Sequence, residues 1–131
     1  MKAYWDSSAL VQASADAQLR TRLRTDRGIT RTHALAEIFS ALTGGNLTFR
    51  LDADAASEVV DNLAADLDFM DLTSAEVLSA LKHARQRGVR GGRVHDFLHA
   101  VAADKAKAAV LLTTDQFDFE SLTDSATVEV I

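Results

Sequence analysis

Carboxylates are the side chains of this sequence that can do chemistry together. Like charges placed close to one another repel unless a cation neutralises them, and carboxylate oxygens select hard cations such as Mg²⁺ or Mn²⁺. The sequence contains no cysteine, which excludes disulfides, thiolate metal sites and cysteine nucleophiles. An all-oxygen site is therefore the simplest chemistry. The candidate residues are Asp6, Glu37, Asp96, Asp115 and Asp118.

Each carboxylate taken alone also has an ordinary structural explanation. Asp6 suits a strand end or a helix cap, and Asp115 suits a turn. Asp96 falls in the first turn of a predicted helix, where the helix dipole favours a negative charge. Glu37, although its neighbours are apolar, suits an exposed helix position. These explanations weaken together if the fold brings several of the carboxylates to one place.

The elements that must position these residues alternate along the chain. Short apolar runs separated by helical periods predict a parallel sheet with helices on both faces, that is, a three-layer α/β/α domain. The 131 residues fit a single domain spanning 1–131, because domains cluster near ~100–150 residues. Predicted strands cover 3–5, 68–72, 109–112 and 127–131, and a turn at 28–30 is expected to lead into a further, very short strand. Predicted helices begin near 7, 19, 32, 52, 73 and 94.

Helix ends are predicted from capping residues. Ser7 or Ser8 is expected to cap the first helix. Thr73 and Glu76 have the spacing of a capping box, which predicts a helix reaching about Arg87.

The ends of the predicted strands bring two of the carboxylates together. Ligands of parallel α/β sheets bind beyond the carboxyl ends of the strands. Asp6 directly follows the first strand, and Asp115 follows the strand at 109–112. We therefore expect both at one edge of the sheet.

Four segments of the chain resemble a known family. In order they read Tyr-Trp-Asp-Ser-Ser-Ala-Leu, Ala-Glu-Ile, Val-His-Asp-Phe-Leu-His-Ala and Leu-Leu-Thr-Thr-Asp. Their ordered set resembles the PIN domain, and in particular the VapC-type toxins of bacterial toxin–antitoxin pairs. The segments are 4–10, 36–38, 94–100 and 111–115.

The resemblance implies a metal-dependent endoribonuclease in the bacterial cytoplasm, a homodimer held inactive by a partner antitoxin. The family's acidic site maps onto Asp6, Glu37, Asp96 and Asp115, with Asp118 as a possible fifth member. Thr113 would orient Asp115 or a metal-bound water, and Ser7 is a possible supporting residue.

The expected chemistry is hydrolysis of an RNA phosphodiester. Mg²⁺, or alternatively Mn²⁺, can polarise the phosphoryl oxygen and activate water. We expect Asp6, Asp96 and Asp115 to be direct or water-bridged ligands. Glu37 is expected to be a further carboxylate on the ligand side or the base that orients the attacking water.

The charges are segregated along the chain. A net charge of -5 argues against nucleic-acid binding by bulk charge. The segment 51–76 contains eight acids and no base, whereas 77–95 contains five bases and no acid. A basic segment that leads into Asp96 suits phosphate contacts, although the same arginines could instead receive an acidic segment of the antitoxin. The candidate contacts are Arg85, Arg87, Arg90 and Arg93.

The remaining expectations concern the histidines, the membrane and the alternative function. His99 lies one helical turn from Asp96 and could approach the site, whereas His95 is expected to be structural or solvent-facing, and Tyr4 and Trp5 to be core. No apolar segment approaches the ~20 residues that span a bilayer, so no membrane association is expected. The alternative function is a PIN-like module that binds RNA with weak catalysis.

Overall fold

The fold was analysed in a computed structural model, which describes residues 2–44, 50–115, 119 and 121–131. Its strands and helices alternate as the sequence predicts. The strands are β1 (Ala3–Trp5), β2 (Gly28–Thr30), β3 (Leu67–Phe69), β4 (Val110–Thr113) and β5 (Thr127–Val130). The helices are α1 (Ser7–Ala15), α2 (Ala17–Asp26), α3 (His33–Thr43), α4 (Ala53–Ala64), α5 (Ser74–Lys82) and α6 (Arg93–Lys105), with a 3-10 turn at Arg85–Arg87.

The five strands form one parallel sheet in the order β3-β2-β1-β4-β5. The register pairs Trp5 of β1 with Leu112 of β4, so the two strands end side by side. Because β1 is the central strand and β4 is its neighbour, the loops after these two strands meet near the centre of one sheet edge. The expected parallel sheet is confirmed.

Two cores cover the two faces of the sheet, which makes the domain three layers. Alternate residues of a strand point to opposite faces. Trp5 and Leu112 pack in one core with α1 to α4, whereas Tyr4 and Leu111 pack in the other with α5 and α6. The three-layer α/β/α architecture is therefore confirmed.

Several element ends differ from those predicted. Asp6, rather than Ser7 or Ser8, caps α1, because its carboxylate accepts the backbone N–H of Ala9. The Thr73–Glu76 capping box is confirmed, but α5 ends at Lys82 rather than near Arg87. The predicted strand at 68–72 is the shorter β3, Leu67–Phe69. Residues 28–30, predicted as a turn before a strand, form the strand β2 themselves.

Gly28, the first residue of β2, is required by close packing. A Cβ atom at this position would lie 2.6 Å from Leu23 Cδ1 and 2.8 Å from Trp5 Cδ1. The glycine lets the end of α2 and the indole of Trp5 pack against the start of the strand.

Among the described residues, no helix has the length and apolarity needed to cross a bilayer.

Candidate functional site

Asp6 lies at the carboxyl end of the central strand β1 and is only 3% exposed. Its Oδ1 accepts hydrogen bonds from Ser8 Oγ (2.7 Å) and from the Ala9 backbone N–H (2.8 Å). Its Oδ2 accepts a hydrogen bond from Thr113 Oγ1 at 2.7 Å. The carboxylate is therefore fixed from both sides by the start of α1 and the end of β4.

Burial raises the pKa of Asp6 above its ordinary value. The hydrogen bonds from Ala9, Thr113 and Ser8 stabilise the charged form and act in the opposite direction, but they do not outweigh desolvation. A buried carboxylate held this way is costly to keep charged, which is a common property of functional sites.

Thr113 links Asp6 to Asp115. Its hydroxyl donates to Asp6 and accepts the backbone N–H of Asp115 at 3.1 Å. Thr113 therefore holds the backbone of Asp115, and its expected role in orienting the Asp115 side chain stays a prediction. The Asp115 residue is exposed, and it begins the loop after β4.

Glu37 on α3 reaches the same edge through two partners. Its Oε2 accepts a hydrogen bond from Ser7 Oγ at 3.3 Å, and Ser7 directly follows Asp6 in the chain. Its Oε1 lies 2.8 Å from Nε2 of His99, which is 1% exposed on α6. Nδ1 of the same imidazole lies 2.7 Å from the Tyr4 hydroxyl on β1. A buried connection therefore runs from the central strand to Glu37.

The partners of Glu37 set its charge. Burial raises the pKa of Glu37, but the hydrogen bond and charge of His99, with His33 and His95, outweigh it and lower the pKa below the ordinary value. Burial raises the pKa of Tyr4, so its hydroxyl keeps its proton. Glu37 is therefore a carboxylate at neutral pH.

Asp96 lies in the first turn of α6, one turn before His99, and is half-buried. Residues three apart on a helix share a face. The neighbouring His95 stacks on His33 of α3, with ring centroids 5.5 Å apart and ring planes at 15°. The start of α6 thus packs against the start of α3, the helix that carries Glu37.

A pocket of about 550 Å³ opens beside these residues. It is lined by Ser7, His33, Ala36, Glu37, Ser40, Ala41 and His95. It therefore borders the candidate site directly.

The carboxylates fit a hard cation in kind, since each candidate ligand offers oxygen. In the part of the chain that the structure describes, no three carboxylate or imidazole side chains form a group that could hold a metal ion. Metal binding by Asp6, Asp96 and Asp115 stays a prediction. Asp118, the possible fifth carboxylate, lies outside the described residues.

The four predicted contact arginines differ in their surroundings. Arg87 forms an ion pair with Asp124 and donates to the Ser121 backbone oxygen, and Arg93 donates to Ser121 Oγ. Arg85 and Arg90 are exposed and, within the described residues, have no ion-pair partner. The charges best able to meet an anionic ligand are therefore those of Arg85 and Arg90.

Sequence reasoning missed the Tyr4–His99 connection. Tyr4 is core, as expected, but its hydroxyl also holds His99. The sequence relates His99 only to Asp96, one turn away, whereas its side chain contacts Glu37. The available signal was a histidine and a glutamate on two otherwise apolar helix faces, each needing a buried partner. Ser8, which bonds Asp6, follows from the capping position of Asp6.

Comparisons with known proteins agree on the fold. No protein-family model and no curated protein matches the sequence. Among solved structures, PAE2754 from Pyrobaculum aerophilum is similar, with a TM-score of 0.74 and 20% identity over 98% of this chain and 89% of that one. VapBC2 from Rickettsia felis, bound to a DNA fragment from its promoter, is similar with a TM-score of 0.72 and 16% identity, over 100% of this chain and 99% of that one. The chain therefore has the fold expected from the resemblance, a PIN-like α/β domain of the kind found in VapBC2.

Proposed function

We propose that this protein is a metal-dependent endoribonuclease that acts as the toxin of a toxin–antitoxin pair. The observation that carries the proposal is the buried Asp6, held by hydroxyl groups at the end of the central strand beside Thr113 and Asp115. Glu37 reaches the same edge through Ser7. The similarity to VapBC2 over the whole chain supports the toxin–antitoxin part.

In this proposal Asp6, Asp96 and Asp115 hold Mg²⁺ or Mn²⁺. A bound ion would polarise a phosphoryl oxygen and lower the pKa of a water molecule. The support is the donor chemistry, which is all carboxylate, and the raised pKa of Asp6, whose charge a cation would stabilise.

The chain's own residues position this chemistry. Thr113 and Ser8 hold the Asp6 carboxylate, so that its orientation does not depend on a ligand. Glu37, ionised at neutral pH, can accept a proton from a water molecule or orient it. His99 and Ser7 fix the two oxygens of Glu37.

The proposed partners are an RNA substrate, a cognate antitoxin and a second copy of this chain. Arg85 and Arg90 would contact RNA phosphates or an acidic segment of the antitoxin.

Leu78 and Leu81 of α5 are 59% and 43% exposed and share one helix face, which suits a homodimer contact. A dimer by light scattering that becomes monomeric in Leu78→Glu would support this contact. We place the complex in the bacterial cytoplasm.

A second candidate function is an RNA-binding PIN-like module with weak catalysis. It is favoured by the absence, among the described residues, of a three-ligand group for a metal ion.

Purified protein incubated with total RNA separates the two functions. The nuclease is expected to cut RNA with Mg²⁺ or Mn²⁺ and not with EDTA. Asp96→Asn is expected to reduce cleavage below detection while leaving the circular dichroism spectrum unchanged. Asp54→Asn is a matched control, because Asp54 also lies in the first turn of a helix but on α4. Full activity of Asp96→Asn would contradict the site, and RNA binding without metal-dependent cleavage would favour the second function.

A further inference from the structure

We propose that the stacked pair of His33 and His95 is a subsite for one nucleobase of single-stranded RNA. This inference deepens the proposed function and rests on it for the class of ligand. It names a substrate contact outside the carboxylates and the arginines.

The pair is formed by two helices that the sheet brings together. His33 is the first residue of α3, and His95 lies in the first turn of α6. Both residues are exposed, and their rings stack nearly parallel at 5.5 Å. Stacked imidazoles offer a flat aromatic surface, and unstacked RNA bases bind proteins by stacking on such side chains.

The pocket beside the pair has room for a flat ring. Both histidines line it, together with Ala36, Ser40 and Ala41 of α3. These side chains are small and recur at the spacing of one helix face, which leaves room beside the imidazoles. The volume of about 550 Å³ lies within the ~300–1,000 Å³ typical of small-ligand sites.

The position of the pocket relates the base to the reaction. Ser7 and Glu37 line the same pocket, and they belong to the candidate site. A base held here would therefore belong to a nucleotide close to the phosphate that reacts. Holding that nucleotide would orient the phosphate, and it would make cleavage depend on the base at one position.

The test compares two RNAs that differ only in their bases. Fluorescence anisotropy in EDTA measures the dissociation constants of an eight-nucleotide single-stranded RNA and of its fully abasic counterpart. Stacking by one base is worth ~1–3 kcal/mol, so the preference for intact RNA is expected to fall by about tenfold in His33→Ala/His95→Ala. His33→Phe/His95→Phe keeps aromatic rings and is expected to keep most of the preference.

The control variant is His83→Ala. His83 is exposed at the end of α5 and lines a different pocket, so its removal is expected to leave the preference unchanged. An unchanged preference in the double alanine variant would overturn the inference. An equal loss of affinity for both RNAs would also overturn it, because it would indicate that the histidines attract phosphate. Absence of RNA binding by the unaltered protein, as expected if the pocket serves a protein partner, would also overturn it.

Cleavage with Mg²⁺ or Mn²⁺ is measured separately on the same proteins. The protein could cut no RNA and still show a preference for intact RNA that depends on the histidines. That result would support the subsite and reject the nuclease. Efficient cleavage with a preference that ignores the histidines would reject the subsite alone.

Discussion

His99 shows how a single buried side chain can orient a carboxylate at a distance from the central strand. The Tyr4 hydroxyl lies 2.7 Å from Nδ1 of the imidazole. Nε2 lies 2.8 Å from Oε1 of Glu37, whose carboxylate accepts the N–H of the ring. Both ring nitrogens are therefore occupied, and the hydroxyl, the ring and the carboxylate are fixed together.

Tyr4→Phe tests this connection. The change removes only the hydroxyl and leaves Nδ1 of His99 buried without its hydrogen-bond partner, so the free energy of unfolding is expected to fall by about 1–2 kcal/mol in urea titration. Glu37 would lose part of its support, and kcat for RNA cleavage is expected to fall by about tenfold while KM changes little. A double-mutant cycle of Tyr4→Phe with His99→Leu should give a non-zero coupling energy for unfolding. Simple additivity of the two changes would contradict the connection.

Asp6→Asn tests the cost of the buried charge. The folded-state pKa of Asp6 is raised, so its ionisation opposes folding at pH values above that raised pKa. Asparagine keeps the cap and carries no charge. The metal-free variant is therefore expected to be more stable than the unaltered protein at pH 7, by roughly 4 °C in Tm if the gain is ~1 kcal/mol.

The dependence of this gain in Tm on pH shows whether the buried charge of Asp6 causes it. As the pH falls through the raised pKa of Asp6, the unaltered protein becomes neutral at this position and the two melting temperatures should converge. A constant difference between pH 7 and pH 4 would contradict burial of the charge as its source.

At the scale of elements, α2, β1 and β2 depend on the absence of a side chain at Gly28. Gly28→Ala is expected to destabilise the fold by about 1–3 kcal/mol in urea titration, because its Cβ would overlap Leu23 and Trp5. Gly92→Ala is the control, since a Cβ there meets nothing within 4 Å and φ is -61°. Its effect should be neutral or slightly stabilising. Equal losses in both variants would contradict the packing explanation.

The sequence predicted the elements well where local signals act alone. The apolar run at 3–5 and the Thr73–Glu76 box have their causes within a few residues, and both are confirmed. Ser7 and Ser8 were wrong as caps because an aspartate at a strand end can serve as well, and the Asp6 carboxylate accepts the Ala9 backbone N–H.

The candidate site was predictable only in outline. Sheet topology places Asp6 beside the end of β4, which strand order alone can indicate. The contacts of Glu37 depend on how α3 and α6 pack across the sheet edge, and one sequence carries no signal of that geometry. The contact of His99 and the stacked His33–His95 pair therefore came from the structure.

At the scale of the molecule, ion pairs join acidic and basic residues that are separated along the chain. Arg20 and Arg27 pair with Asp66 and Asp68, which belong to the acidic segment 51–76. Arg22 pairs with Glu129 on the edge strand β5. These arginines are paired within the fold, whereas Arg85 and Arg90 are exposed and, among the described residues, have no ion-pair partner.

The dependence of RNA binding on salt concentration tests whether Arg85 and Arg90 contact phosphates while the paired arginines do not. Arg85→Gln/Arg90→Gln is expected to weaken binding of single-stranded RNA and to reduce the slope of log K against log salt concentration by about 1.4, since each phosphate contact contributes ~0.7. Arg24→Gln/Arg27→Gln removes the same charge from residues that face Asp66 and Asp68 and should leave the slope unchanged. Equal slopes for the two double variants, measured by anisotropy at low and at physiological salt, would contradict the division.

The pairing of β1 with β4 also decides when the candidate site can assemble during synthesis. The hydrogen bond between Asp6 and Thr113 joins residues 107 apart, and Tyr4 and His99 are 95 apart. Contacts so distant in sequence form late and slowly. The central strand β1 leaves the ribosome long before its neighbour β4 exists, so a nascent chain cannot join Asp6 to Thr113 until residue 113 has also been made. The assembled candidate site therefore exists only after the segment that contains β4 has been translated.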